Sequence, residues 1–301
     1  MNSSSSTTTR LFPVSASALA AAAVAVTIAS WASAFPLIRI ALQGLSPLHL
    51  AAARFATAAL LAGAWLVYRR PRRPTGRDAL RFALCGFFGI GIYNALLNTG
   101  EMTVAAGAAS FIANTLPIFT ALLATVFLGE RFNRWGWLGS IFSFAGIGVI
   151  ASGQPGGIVP GAGASLILCA AICAAVFFVM QRRLIPVYGP LACTAYTLLA
   201  GALWLAPWLP GALIELTHAP ARTVHAVVLL GVFPAALGYA TWAYALGHFG
   251  AARAANFLYL SPAVATALSM VMTGEQLNMS TVAGGAMAIA GVAFVAWRGR
   301  T

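Results

Sequence analysis

The chain contains one short pattern twice, first as Gly129-Glu130-Arg131-Phe132-Asn133 and again, 145 residues later, as Gly274-Glu275-Gln276-Leu277-Asn278. The same offset pairs residues on both sides of the pattern: Pro117 with Pro262, Gly139 with Gly284, and Ala145-Gly146 with Ala290-Gly291. Alanine and glycine matches arise easily in a biased composition, but a proline, a Gly-Glu pair and an asparagine at fixed distances do not. The pattern therefore indicates an internal repeat.

An offset of 143 residues extends this repeat towards the amino terminus. It pairs Phe35 with Phe178, Arg39 with Arg182 and Pro47 with Pro190. The repeat thus predicts two similar units, residues 14–152 and 162–301. A head at residues 1–13 precedes them, and its Ser/Thr tract, which ends at Thr9, predicts disorder.

The composition excludes an ordinary water-soluble domain. Hydrophobic residues make up 60% of the chain, charged residues only 7%, and the mean hydropathy is +0.88. A soluble domain carries about 25% charged residues, so most of this surface must face lipid. The apolar runs predict ten membrane-spanning helices, at about 20 residues each: 14–38, 47–68, 82–100, 104–128, 135–152, 162–180, 190–209, 223–246, 252–273 and 279–297.

The repeat and the spans together predict an all-α integral membrane protein whose two five-helix repeats have opposite orientations. A unit with an odd number of spans ends on the other side of the membrane, so the second unit starts from that side. Inverted repeats are typical of secondary transporters, which bind their substrate near the midplane where the halves meet.

The arginines predict the orientation. All 17 basic residues are arginines. With a cytoplasmic amino terminus, fourteen of them fall on the cytoplasmic side, Arg39 and Arg222 fall in external loops, and Arg54 lies a little way into the second span. Both termini are therefore predicted to be cytoplasmic in a multi-pass protein of the inner membrane. This distribution explains the net charge of +12 by topology, and no nucleic-acid partner is expected.

No motif indicates a cofactor, a metal or a catalytic centre. Cys85, Cys169, Cys173 and Cys193 lie within apolar runs, without the setting of a disulfide framework or a zinc site. A membrane-embedded enzyme is one alternative to a transporter, but the spans contain no Ser/His/Asp grouping. An exporter of drugs or other metabolites is a second alternative.

The residues also resemble a known family. The segments that carry the resemblance are Trp31 to Pro36, Ser46-Pro47, Arg54-Phe55 and the repeated Pro, Gly-Glu and glycine pattern. They are similar to the EamA family of the drug/metabolite transporter superfamily over nearly the full chain. The resemblance implies ten helices in two inverted repeats and export of amino acids or other metabolites, with a branch that exports aromatic amino acids. Arg54 has no counterpart in the second half, where Ala195 to Leu199 occupy the region.

Neutral polar residues in the spans are the candidate substrate-binding residues. Asn94 and Asn98 lie four residues apart and therefore share one helix face. On the next span, small and polar residues recur at helical spacing, and Ser110 and Asn114 are among them. The repeat places Tyr239 opposite Asn94 and Tyr259 opposite Asn114, with Asn256 nearby. The full candidate set is Asn94, Asn98, Ser110, Asn114, Tyr239, Asn256 and Tyr259. Hydrogen bonding between helices is an equally good explanation. Amides and phenols without an arginine cluster suit a small zwitterion or neutral compound and not a phosphate.

Four residues are candidate hinges because they interrupt helices in mid-membrane: Gly89, Pro117, Pro234 and Pro262. Static kinking is the alternative. The carboxylates all fall at span ends or in loops, so no buried carboxylate is predicted to carry a proton. His248 is the residue that could still couple transport to proton movement. Glu130 is expected to cap or pair locally, and Glu101 or Glu275 to pair with Arg54.

Overall fold

A computed structural model describes residues 16–104, 109, 112–131, 133–152, 161–264, 268 and 279–298. The described residues form helices and connecting turns, with no strand among them. The helical stretches, in chain order, are α1 (Ala16–Ala41), α2 (Pro47–Arg69), α3 (Gly76–Gly100), α4 (Leu116–Leu128), α5 (Arg134–Ser152), α6 (Ala162–Tyr188), α7 (Pro190–His218), α8 (Ala221–Phe249), α9 (Ala251–Asn256) and α10 (Met279–Arg298). The predicted head at residues 1–13 lies outside the described residues.

Six of these stretches are long and apolar enough to cross a membrane: α1, α2, α3, α6, α7 and α8. Two shorter apolar helices, Leu116–Leu128 and Val282–Val295, add to them. A helix satisfies its own backbone hydrogen bonds in hydrocarbon, which is why apolar runs of this length form helices there. The protein is an all-helical membrane protein.

Two helices contain a π-helical segment near their middle, at repeat-related places. The segment in α3 is Phe87–Gly91 and the segment in α8 is Gly231–Leu237. Gly89 lies inside the first and Pro234 inside the second. A π segment frees backbone carbonyls from the regular ladder, so both predicted hinges lie where the helix is irregular.

The other two predicted hinges follow breaks of helical structure. Pro117 is the second residue of α4, directly after turn residues at Asn114 and Thr115. Pro262 comes shortly after the 3-10 segment Phe257–Leu260 that continues α9. Each proline therefore stands just after an interruption, and whether any of the four positions moves stays a prediction.

Helices α5 and α10 cross at small residues. A Cβ added to Gly146 would lie 2.6 Å from the Gly284 carbonyl oxygen, and one added to Gly291 would lie 2.6 Å from the Gly139 carbonyl oxygen. Between these two points Ser143 Oγ donates a hydrogen bond to the Ala288 carbonyl at 3.1 Å. The repeat relates the two glycine contacts to each other. Small residues of the two helices thus pack directly against one another, as is typical of helix contacts in membranes.

Glutamates connect distant parts of the chain. Glu130, after α4, accepts hydrogen bonds from the backbone N–H groups of Ala251 and Ala252 at 2.9 Å each. Glu215, on α7, accepts one from the Ser46 N–H at 2.9 Å and lies 2.8 Å from His49 Nδ1. Glu130 therefore caps a helix, but the local partner expected for it is wrong, because its hydrogen bonds reach α9 in the second half of the chain.

Candidate functional site

A cavity of about 100 Å³ lies among α1, α2, α3, α4, α6, α8 and the segment after α9. Its wall is mainly apolar and aromatic, with a few polar groups. The lining residues that concern the site are Trp31, Phe35, Arg54, Tyr93, Asn114, Leu116, Ala174, Phe177, Phe178, Tyr239, Leu258 and Ser261. This volume is well below the roughly 300–1,000 Å³ of drug-sized ligand pockets, so the cavity in this state suits a small metabolite.

Both repeat units contribute to this wall, and often at the same repeat position. Lining pairs related by the offset of 143 are Trp31 with Ala174 and Phe35 with Phe178; pairs related by 145 are Ala113 with Leu258 and Leu116 with Ser261. A cavity built in this way lies between the two units. This is the location that repeat architecture predicts for a substrate site.

The aromatic wall is held by hydrogen bonds to the two π segments. Tyr239 Oη donates to the Gly89 carbonyl at 2.7 Å, and Trp31 Nε1 donates to the Pro234 carbonyl at 3.0 Å. The Trp31 ring lies 5.7 Å from Tyr239, centroid to centroid, and the Phe177 ring lies 5.9 Å from Tyr239. Carbonyls at irregular helix positions thus fix the orientation of cavity rings, which connects the wall to the predicted hinges.

Arg54 and Asn94 form the polar side of the site. Asn94 is buried and donates from Nδ2 to the Ile90 carbonyl at 2.9 Å, while its Oδ1 accepts from an Arg54 guanidinium N–H at 3.3 Å. Arg54 itself lines the cavity. Asn94 is therefore a support for Arg54, and it is not among the lining residues.

Two of the seven candidate binding residues line the cavity. Asn114 and Tyr239 do so, and both are 6% exposed. They come from different repeat units. The interpretation that polar residues of both units meet at one cavity is therefore consistent with these two positions.

Three further candidates are buried elsewhere. Asn98 donates to the Pro47 carbonyl at 3.0 Å, and Asn256 accepts from Ser140 Oγ at 2.6 Å. Tyr259 packs with Ile147 in a separate apolar cluster. Hydrogen bonds between helices and core packing account for these positions. Ser110 lies outside the described residues.

The structure corrects the prediction that no carboxylate is buried. Glu101 ends α3 and is only 6% exposed. A position at a span end does not decide exposure, because α6 covers this end of α3: Gly100 lies against Gly163. Within the described residues neither carboxyl oxygen of Glu101 has a hydrogen-bond partner. Of the two carboxylates expected to pair with Arg54, Glu101 forms no salt bridge with it, and Glu275 lies outside the described residues.

Sequence reasoning missed several lining residues. Trp31, Phe177 and Phe178 were indistinguishable from core aromatics, because the chain has 18 phenylalanines and eight tryptophans. Arg54 did carry a signal, since a charge inside a span is costly and tends to be functional.

A family model matches the chain twice. The model of the EamA-like transporter family covers residues 16–152 and again 161–297. The chain belongs to the EamA-like transporter family. It is accordingly a transporter and not an enzyme.

Curated relatives in the same family agree with this assignment. The chain is 36% identical to the uncharacterized transporter YdfC of Bacillus subtilis over 88% of this chain and 86% of the relative. It is 36% identical to a probable terminal-alkyne amino-acid exporter of Streptantibioticus cattleyicolor, over 91% of this chain and 92% of the relative. It is 30% identical to the uncharacterized inner membrane transporter YedA of Escherichia coli, over 82% of this chain and 81% of the relative.

A solved crystal structure of a protein shares the fold. Its TM-score to this chain is 0.75 at 20% sequence identity, with 93% of this chain and 97% of the other covered. At this identity the similarity concerns the fold alone.

Proposed function

We propose that this family member exports small organic metabolites, amino acids including aromatic ones, across the inner membrane. In this proposal ten helices form two inverted five-helix halves, both termini are cytoplasmic, and the cavity opens alternately to either side. The family branch that exports aromatic amino acids is the one to which we assign it.

The cavity between the repeat units is the observation that carries the proposal. Its aromatic wall, Trp31, Phe177, Phe178 and Tyr239, suits an apolar or aromatic side chain, and such rings also attract an ammonium group. Arg54 and Asn114 supply polar contacts for the remaining atoms. An amino acid combines these three kinds of group in one small molecule. The relative from Streptantibioticus cattleyicolor, named a probable amino-acid exporter, supports the same substrate class.

Transport into vesicles of the purified protein tests the substrate. We expect labelled phenylalanine, tryptophan or threonine to accumulate inside vesicles that contain the protein and not inside protein-free vesicles. Transport of none of the three, together with movement of a hydrophobic cation, would replace the proposal with a drug exporter.

A matched pair of tyrosine variants connects transport to the cavity. Tyr239 and Tyr259 are both buried, but only Tyr239 is among the lining residues. We expect Tyr239→Phe to slow transport several-fold and Tyr259→Phe to leave it within twofold, because one lost hydrogen bond costs about 1 kcal/mol. If the two substitutions change the transport rate equally, the transported molecule does not bind in this cavity.

Cysteine labelling tests the inverted halves. In a background without the four native cysteines, single cysteines are placed beside Gly129 and beside Gly274. We expect an impermeant thiol reagent to modify the second in intact cells and the first only after the membrane is opened. Modification of both from the same side would refute the inversion.

A further inference from the structure

Arg54 is a buried cation that forms no salt bridge within the described part of the chain. Its side chain is on α2, lines the cavity and is 5% exposed. One guanidinium N–H reaches Asn94 Oδ1 at 3.3 Å, a long hydrogen bond to a neutral group, and the buried Nε has no hydrogen-bond partner among the residues that the structure describes. Among the described residues no carboxylate oxygen lies within 4.0 Å of this side chain.

Such an arrangement is costly unless something else compensates it. A charge removed from water is stabilised only by a counter-charge and by hydrogen bonds to each of its polar atoms. The Phe55 ring, 5.0 Å from the guanidinium carbon, gives a cation–π contact, and such a contact supplies about 0.5–2 kcal/mol. Phe55 and Asn94 together leave both the charge and Nε of Arg54 incompletely satisfied.

We propose that Arg54 binds the carboxylate of the transported molecule. The proposal rests on the transport function proposed above and specifies its substrate class, a molecule with one carboxylate. A guanidinium presents N–H donors in a planar fork that matches the two oxygens of a carboxylate. Arg54 lies at the cavity wall together with Phe177 and Trp31, so a carboxylate placed there leaves the rest of the ligand against aromatic rings.

The charge of the site favours a monoanionic group over a phosphate. Arg54 is the single Lys or Arg among the described lining residues. One guanidinium neutralises one carboxylate, whereas a phosphate dianion would leave a net negative charge in a buried site. A zwitterionic amino acid adds its ammonium group near the aromatic rings.

Glu101 offers a competing explanation for the burial of Arg54. It is the nearby buried carboxyl group and interacts electrostatically with Arg54, without a hydrogen bond between the two. If Arg54 served only to offset this charge, Glu101→Gln and Arg54→Gln would have the same consequences. If Arg54 binds the substrate, only Arg54→Gln changes the preference for carboxylates.

The test compares three ligands that share a phenyl ring. L-phenylalanine, phenylacetate and 2-phenylethylamine are titrated onto the purified full-length protein in lipid nanodiscs, and binding is measured by calorimetry. We expect the wild type to bind the better of the two carboxylates about ten- to a hundredfold more tightly than the amine, the range given by a charge-assisted hydrogen bond in a buried site. Arg54→Gln is expected to reduce that ratio to about one, and Arg54→Lys to an intermediate value.

The controls come from the same chain. Thr197, the buried repeat counterpart of Arg54 at the offset of 143, is not among the lining residues, so Thr197→Val is expected to keep the wild-type ratio. Glu101→Gln is also expected to keep it. If Arg54→Gln does not fold, the wild-type ratio and Arg54→Lys still decide the question.

Each outcome distinguishes this proposal from the one on which it rests. The role of Arg54 in binding the carboxylate would be overturned by a wild type that binds the amine as tightly as the carboxylates. An Arg54→Gln variant that keeps the wild-type ratio of carboxylate to amine affinity would overturn it too. Either result would leave the proposed transport function intact. If phenylacetate binds and phenylalanine does not, the proposal that amino acids are the substrates is overturned, while the role of Arg54 in binding a carboxylate stands. Failure of all three ligands to bind the wild type would overturn both.

Discussion

Gly89 and Pro234 are related by the repeat, and each lies inside a π-helical segment whose backbone carbonyl accepts a hydrogen bond from a cavity ring. Asn114 and Tyr259 are related by the same offset, but Asn114 lines the cavity while Tyr259 is buried in a separate apolar cluster. The two repeat units thus have the same irregular backbone and different side-chain chemistry.

The difference extends to the buried charges. The first unit supplies Arg54 and its support Asn94, whereas the offset of 143 places Thr197 at the position of Arg54 in the second unit. The second unit supplies Phe177, Phe178 and Tyr239 to the wall. The repeat therefore provides a similar backbone framework twice, with different side chains on it.

The largest expected effect is a loss of stability at the crossing of α5 and α10, where the two repeat units have equivalent glycine contacts. Gly146→Ala and Gly291→Ala should each destabilise the protein by about 2 kcal/mol, because a Cβ there meets the backbone of the facing helix, which cannot move aside cheaply. Unfolding in detergent, followed by circular dichroism, measures the loss.

Gly285→Ala is the control for both glycines, since its Cβ would meet only the Ala263 side chain at 3.8 Å. We expect a change below about 0.5 kcal/mol, because the added methyl group would make only this ordinary van der Waals contact. Losses that differ widely between Gly146 and Gly291 would show that the crossing of α5 and α10 is not symmetric.

A smaller effect is expected where the units differ. Asn114→Ala should lower the transport rate about fivefold, since one hydrogen bond to a bound ligand contributes about 1 kcal/mol. Uptake of labelled phenylalanine into vesicles, normalised to the amount of folded protein, measures it.

The comparison for Asn114 is Asn98→Ala, at a buried amide that bonds to the Pro47 carbonyl away from the cavity wall. This variant should lower folded yield more than the rate per folded molecule. If the transport rate per folded molecule falls equally in both variants, Asn114 contributes to packing between helices and not to substrate binding.

The smallest effect concerns the contact between the units at Glu130. Glu130→Gln should cost about 1 kcal/mol of stability, because the two backbone N–H groups of α9 lose a charged acceptor. Arg182 lies 3.8 Å from the same carboxylate in a partly exposed pair, so Arg182→Gln should cost less than about 0.5 kcal/mol.

Thermal unfolding of both variants and of the wild type checks this order. An Arg182→Gln loss as large as that of Glu130→Gln would mean that the ion pair, and not the backbone cap, connects the two units.

Sequence patterns anticipated the features that depend on local order along the chain. Apolar runs gave the positions of the described helices, and the proline and glycine positions marked their interruptions. These features recur at fixed intervals in sequence, so the repeat offset alone relates one unit to the other.

The candidate site was anticipated only in part, and for physical reasons. Asn114 and Tyr239 were found because polar groups inside apolar spans stand out. Asn98, Asn256 and Tyr259 are also polar residues inside apolar spans, but their side chains lie in contacts between helices. Trp31 and Phe177 carry no signal, since an aromatic ring that lines a cavity has the same hydropathy as one in the core.

The amino-acid sequence by itself determined that this chain is a helical membrane protein with an internal repeat, because hydropathy and backbone hydrogen bonding in lipid leave little other choice. The tertiary structure decided which buried polar groups meet. It placed Arg54 at a cavity wall with no salt bridge to any described carboxylate, and it buried Glu101 next to the end of α3, where α6 packs against Gly100. Burial and partnership depend on which helices come together, and that information is not local to any span.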